Sequence, residues 1–215
     1  IEAQQRTGAD IVAAWYDMGA PIPYPEAGDV VWKGTQALQK SLEDHPLTYS
    51  VWAKLYTREI IGDTRFQEGI RVNEDSLFVF RLLCKQPCFA GINRVVYFYR
   101  PNAASASHAA FSEKYFDIPK VADMKRQLVL RQYPQMEAAA RNMKLKAELC
   151  LLNNLSSCPG KKYRAQEKAL LCSLREEKAY YVSATRKDDI LFFLMTHHLY
   201  YPFKVLNCLR TRLKK

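Results

Sequence analysis

Hydrophobic and polar positions change their period about halfway along the chain. In the first half the apolar runs are short and β-rich. Residues 10–16 (Asp-Ile-Val-Ala-Ala-Trp-Tyr) predict a buried strand, and residues 91–100, centred on Val95-Val96-Tyr97-Phe98-Tyr99, predict another. Gly8 closes a helix ahead of the first strand. Residues 18–28 carry Pro21, Pro23 and Pro25 and predict a loop. Helical patterns occupy 35–44 and 74–86, and residues 48–56 hold a short strand or helix. In the second half the period becomes helical throughout. A helix begins at Pro119 and runs to about 132, and Pro134 interrupts it. Residues 135–155 follow, with Leu145, Leu149 and Leu152 on one face, and end before Cys158-Pro159-Gly160. Residues 165–181 repeat the pattern with Leu170, Leu174 and Tyr181, and helices at 188–200 and 203–213 complete the chain. The expected fold class is therefore α/β followed by an all-α C-terminal region.

Charge draws the same division. Residues 1–112 hold 11 Lys+Arg and 12 Asp+Glu, a net of −1, whereas residues 113–215 hold 21 and 10, a net of +11. Two domains follow, 1–112 and 113–215, separated near the small polar stretch 102–108. Nearly half of the 215 residues are apolar, which excludes disorder. The strongest apolar run, residues 190–195, is far short of the about 18 residues of a membrane span, and no signal-peptide pattern opens the chain. Cys84, Cys88, Cys150, Cys158, Cys172 and Cys208 show no paired metal-ligand spacing and read as free thiols of a cytoplasmic protein.

Asn73-Glu74-Asp75 opens the 74–86 helix behind an aromatic, basic segment. Asn73 suits the N-cap, and carboxylates in a first turn gain about 0.3–1 kcal/mol from the helix dipole. The pair has two readings: it only starts the helix, or one member is a general base within reach of a substrate proton. Four segments carry a resemblance that bears on this choice. They are Val51-Trp52-Ala53-Lys54-Leu55-Tyr56 with Arg58, Arg65-Phe66-Gln67-Glu68-Gly69, Asn73-Glu74-Asp75-Ser76-Leu77-Phe78, and Tyr97-Phe98-Tyr99-Arg100 with Ser105 and Ser107. In this order they resemble the second half of a family 2 glycosyltransferase of GT-A fold. The resemblance implies that residues 1–112 are the acceptor-side half of that Rossmann-like domain. It also implies a donor half upstream of Ile1, two or three βα units of about 30 residues each, because no Asp-x-Asp motif occurs in the chain. A divalent metal, Mg or Mn, would be held mainly by those upstream residues, and without them the chain is expected to be inactive.

The resemblance assigns Asp75 as the base that deprotonates an acceptor hydroxyl in an inverting transfer, with Glu74 assisting. Trp52 and Lys54 would line the acceptor or donor pocket; the alternative is a core tryptophan and a solvated lysine. Arg100, Ser105 and Ser107 would close over a donor diphosphate, and His108 is either a further metal ligand or a solvent-exposed loop residue. Asp188-Asp189 reads as a helix start. His197-His198 reads as a packed edge within an aromatic helix.

The implied partners are a nucleotide-sugar donor and a saccharide or lipid-linked acceptor of cell-surface polysaccharide synthesis. Residues 203–215 carry five basic residues and no acidic one, with Val205, Leu206, Leu209 and Leu213 on one face. They form either an amphipathic helix on an anionic membrane surface or an ordinary terminal helix. The expected location is cytoplasmic, peripheral to the membrane's inner face. The competing function is a non-catalytic basic helical module binding membrane or nucleic acid. Nucleic acid is disfavoured, since no helix-turn-helix, zinc or RNA-recognition signature is present.

Overall fold

A computed structural model describes residues 1–17, 28–100 and 111–213. The chain divides into two compact units, Ile1–Ala109 and Ala110–Lys215.

The first unit is built on a four-stranded mixed sheet in the order β2-β4-β1-β3. Its elements are α1 (Glu2–Thr7), β1 (Ile11–Asp17), β2 (Val30–Trp32), α2 (Gln36–Leu42), β3 (Lys54–Tyr56), α3 (Arg58–Ile61), α4 (Glu74–Leu83) and β4 (Phe89–Phe98). The apolar run of β1 makes it a central strand with its first five residues buried. It pairs in parallel with β4, from Ile11 opposite Phe89 to Asp17 opposite Phe98, and the register shifts on both sides of Trp15. β3 and β2 flank this pair antiparallel.

The two faces of the sheet differ. Gly91 lies opposite Ala13, and a β-carbon placed on it would stand 2.7 Å from Leu47 Cδ1. The 3₁₀ turn Pro46–Thr48 therefore covers the Ala13 face, where α4 also packs on that turn. Fully buried Leu38 of α2 and Leu77, Phe80, Leu82 and Leu83 of α4 belong to the core of this unit. On the opposite face Ala3 of α1 packs against Ala9, Val12 and Ala90.

The second unit is helical: α5 (Asp117–Gln132), α6 (Glu137–Leu155), α7 (Arg164–Glu176), α8 (Arg186–Thr196) and α9 (Tyr200–Leu213). Pro119 lies in the first turn of α5, where its missing N–H costs nothing, and Pro134 opens a short 3₁₀ turn before α6. The expected face of α6 is the core: Leu145, Leu149 and Leu152 cluster with Leu171, Leu174, Met195 and Tyr200. Charged groups are buried beside it with partners. Lys144 pairs with Glu148 at 2.8 Å, and Ser173 Oγ bridges the two. The ammonium of Lys204 and the hydroxyl of Tyr200 both donate to Glu167, a carboxylate only 1% exposed. No helix among the described residues is long and apolar enough to cross a membrane.

Several elements differ from the sequence expectation. β2 and α3 were not predicted, since three or four residues are too few to display a period. The helix expected over 165–181 stops at Glu176, and a 3₁₀ turn, Lys178–Tyr180, replaces its last turn. His197 and His198 end α8 rather than lying within it; both are exposed, and His198 has φ 63°. All six cysteines are free.

Candidate functional site

The acidic pair sits where the sequence places it, at the head of α4, but the start of that helix is made differently from the expected cap. Asn73 has φ 66° and its side chain makes no capping hydrogen bond; its carbonyl instead accepts from Leu77 N–H at 3.0 Å. The Asp75 carboxylate accepts from Ser76 N–H at 2.7 Å. Both acids are half-buried, and Glu74 makes no ion pair or hydrogen bond with any described residue.

The connection leading to this pair is tied to α4 by residues one turn apart. Arg81 donates to Gln67 Oε1 at 2.5 Å and to the Arg65 carbonyl at 3.1 Å. Lys85 donates to the Ile60 and Ile61 carbonyls at the end of α3, at 2.7 and 3.1 Å. Phe66 stacks on Phe78 with ring centroids 4.5 Å apart. The Phe-x-Glu-Gly segment is thereby a fixed strap along α4, and its Gly69 takes φ 74°, a conformation that costs glycine nothing.

Across from α4, β3 turns Lys54 and Tyr56 to one face, since strand side chains alternate. Both feel the Asp75 carboxylate. Burial pulls the Lys54 ammonium down to about 8, against an opposing push from Asp75. Burial also pushes the Tyr56 phenol above its ordinary range, and Asp75 adds to this. Lys54 is not a solvated lysine: Nζ donates to the Ser50 carbonyl at 2.5 Å and meets Ser50 Oγ at 3.4 Å. Tyr56 donates to the Val51 carbonyl at 3.3 Å. These bonds close the 50–53 turn, in which Ala53 takes φ 55° while its carbonyl accepts Ala14 N–H at 2.9 Å. A left-handed alanine costs on the order of 1–3 kcal/mol, which the surrounding bonds must offset.

That turn delivers Trp52 to the carboxyl ends of the parallel pair. Its indole stacks on Tyr97 at 4.7 Å, meets Tyr16 edge-on at 4.5 Å and lies 6.1 Å from Tyr99. Trp52 is half-buried, between the core and pocket alternatives, in an aromatic wall that leaves Tyr97 38% exposed. The carboxyl edge of parallel strands is where open α/β sheets bind ligands. Arg100 is exposed and follows Tyr99 along this edge. Ser105, Ser107 and His108 lie outside the described residues. Tyr16, Tyr56, Tyr97 and Tyr99 were not named as site residues from sequence. The period-two spacing of Lys54 and Tyr56, and of Tyr97 and Tyr99, was the available signal.

A cavity of about 1170 Å³ lies on the other face of the sheet, between α1 and Val12, Ala14, Leu55, Ile92 and Val96, with Arg6 and Asp29 paired at 2.6 Å in its wall. Lys54 contributes to its lining, but neither Asp75 nor Trp52 does. Among the described residues no group of three or more His, Cys, Asp or Glu is arranged to hold a metal ion.

No family model matches the chain, and no curated protein matches it either.

Proposed function

We propose that the first unit is the acceptor-side half of a GT-A glycosyltransferase domain, acting by inversion on a nucleotide-sugar donor and a saccharide or lipid-linked acceptor. The arrangement that supports it most is Asp75 at the head of α4 within the field of Lys54 and Tyr56 of β3, whose bonds to Ser50 and Val51 hold the turn that carries Trp52. Asp75 takes the proton of an acceptor hydroxyl as its oxygen bonds to the anomeric carbon. The bond from that carbon to the nucleotide diphosphate breaks on the opposite face. Trp52 offers its apolar ring to sugar C–H surfaces. Lys54, engaged with Ser50, holds the turn that positions Trp52 and sets a positive charge near Asp75. Arg100 supplies a forked donor for diphosphate oxygens.

Transfer from a panel of nucleotide sugars, assayed on the full-length protein, tests the reading. Asp75→Asn should lower the rate about 10²–10⁴-fold with an unchanged circular dichroism spectrum. A full rate in that variant removes Asp75 from the mechanism. Absence of any transfer, together with no shift of the Trp52 indole N–H resonance on adding acceptor saccharides, overturns the proposal as a whole.

A further inference from the structure

The terminal helix packs on the bundle through one face and leaves an apolar stripe on the other. Along α9, Tyr200 and Lys204 are buried, and Asn207 donates to Ser156 Oγ and Ser157 Oγ at 2.7 and 3.1 Å. Cys208 lies on the same side, with Sγ 3.3 Å from the Ser156 carbonyl. The inward face of the helix is therefore already filled, by Tyr200, Tyr201 and Phe203 on the apolar cluster and by Lys204, Asn207 and Cys208. Its outward stripe is Pro202, Val205, Leu206 and Leu209, spaced at helical period, and the last three are 60%, 67% and 51% exposed. The preceding helix, α8, also exposes Ile190 and Phe193, one turn apart. A surface helix that has filled its inward face and still offers valine and leucine outward is built to meet an apolar partner.

Charge selects which partner. Residues 190–215 contain no acidic residue, while Arg210, Arg212, Lys214 and Lys215 follow the stripe. A second copy would bring these like charges together, whereas an anionic bilayer supplies both an apolar interior and the opposite charge. We infer that the outward stripe of α9 docks this chain onto an anionic lipid surface, with Val205, Leu206 and Leu209 entering the headgroup boundary and the exposed Arg210 meeting the lipid phosphates. Lys204, counted among the lipid-facing charges by its place in the sequence, is committed to Glu167 and takes no part. The inference stands apart from the transferase reading, since lipid binding is read without any sugar donor.

The experiment is sedimentation of the whole chain with vesicles of phosphatidylcholine alone or with about one third phosphatidylglycerol, together with light scattering of the free protein. Binding is expected to the anionic vesicles only and to weaken as salt rises. The double variant Leu206→Ser, Leu209→Ser keeps every charge and should bind at least tenfold more weakly; Arg210→Glu should also weaken binding. Because these positions are exposed, thermal melts should match the parent chain. Equal binding to neutral vesicles, failure of the parent chain to bind, or undiminished binding by the serine variant overturns the inference. So does a dimer that the serine variant dissociates, or association with duplex RNA in place of vesicles.

Discussion

Lys54 carries the most informative single proton in the first unit. Its ammonium is bonded to Ser50 and lies in the field of Asp75, yet burial still outweighs that field and brings it down to about 8. In the unfolded chain a lysine titrates near 10.4. Between about pH 8 and 10 the unfolded state therefore holds a proton that the folded state has released, and stability rises with pH across that window. Below pH 8 both states are protonated and the burial cost is constant. Urea unfolding of the parent chain relative to Lys54→Met should show this slope above pH 8 and none below pH 7. Titration of the same lysine by NMR after reductive methylation tests its neighbour. In Asp75→Asn the favourable charge is gone, so the Lys54 midpoint should fall further. An unchanged midpoint would mean that the carboxylate and the ammonium are not neighbours, which would remove the main support for the proposed site.

At the level of elements, β4 is held between a turn and an edge strand at one glycine. A β-carbon on Gly91 would stand 2.7 Å from Leu47 Cδ1 and 2.8 Å from Val30 Cγ2, and Leu47 is itself buried. Gly91→Ala should thus cost about 1–3 kcal/mol through overpacking. Gly28→Ala, with nothing within 4 Å of the added carbon, should change stability by about 0.5 kcal/mol or less. Denaturant midpoints of the two variants check this, and equal midpoints would contradict the close approach. Nothing in the residues around Gly91 announces that role, because it depends on Leu47 and Val30 arriving from elsewhere in the chain. The long helices were legible for the opposite reason. Leu145, Leu149 and Leu152 recur at the helical period over several turns, and Asp188-Asp189 falls in the first turn of α8 as expected, behind a Thr185 cap whose hydroxyl accepts Asp188 N–H at 3.2 Å. For the candidate site, the acidic pair, Trp52 and Lys54 could be read directly, whereas Tyr56 was passed over. The left-handed turns at Ala53 and Asn73 could not, since neither residue type requires that conformation and only the bonds around each impose it.

Over the whole molecule, the two compact units hold their cores by different means, and one buried carboxylate exposes the difference. In the first unit apolar side chains fill the space between the sheet and its helices. In the second, the apolar cluster of α6–α9 is joined to Glu167, which receives both Lys204 and Tyr200 out of contact with water. Removing that carboxylate leaves an ammonium buried without its partner, a change that typically costs about 3–5 kcal/mol, whereas replacing both members of such a pair by apolar groups is often close to neutral. Glu167→Ala should therefore strongly destabilise the second unit, and Glu167→Met with Lys204→Met should recover much of the loss. Hydrogen exchange resolves where the loss falls. Protection should drop along α7 and α9, the helices that the pair joins, while β1 and β4 keep theirs, because a unit with its own core opens on its own. Vesicle binding adds a second reading of the same pair. α9 presents Val205, Leu206 and Leu209 outward only while Lys204 is anchored inward, so Glu167→Ala should weaken lipid binding together with α9 protection, and the double methionine variant should restore both. Loss of exchange protection spread evenly over both units, or lipid binding that persists after α9 has lost its anchor, would show that the Glu167–Lys204 pair does not set the helix's orientation.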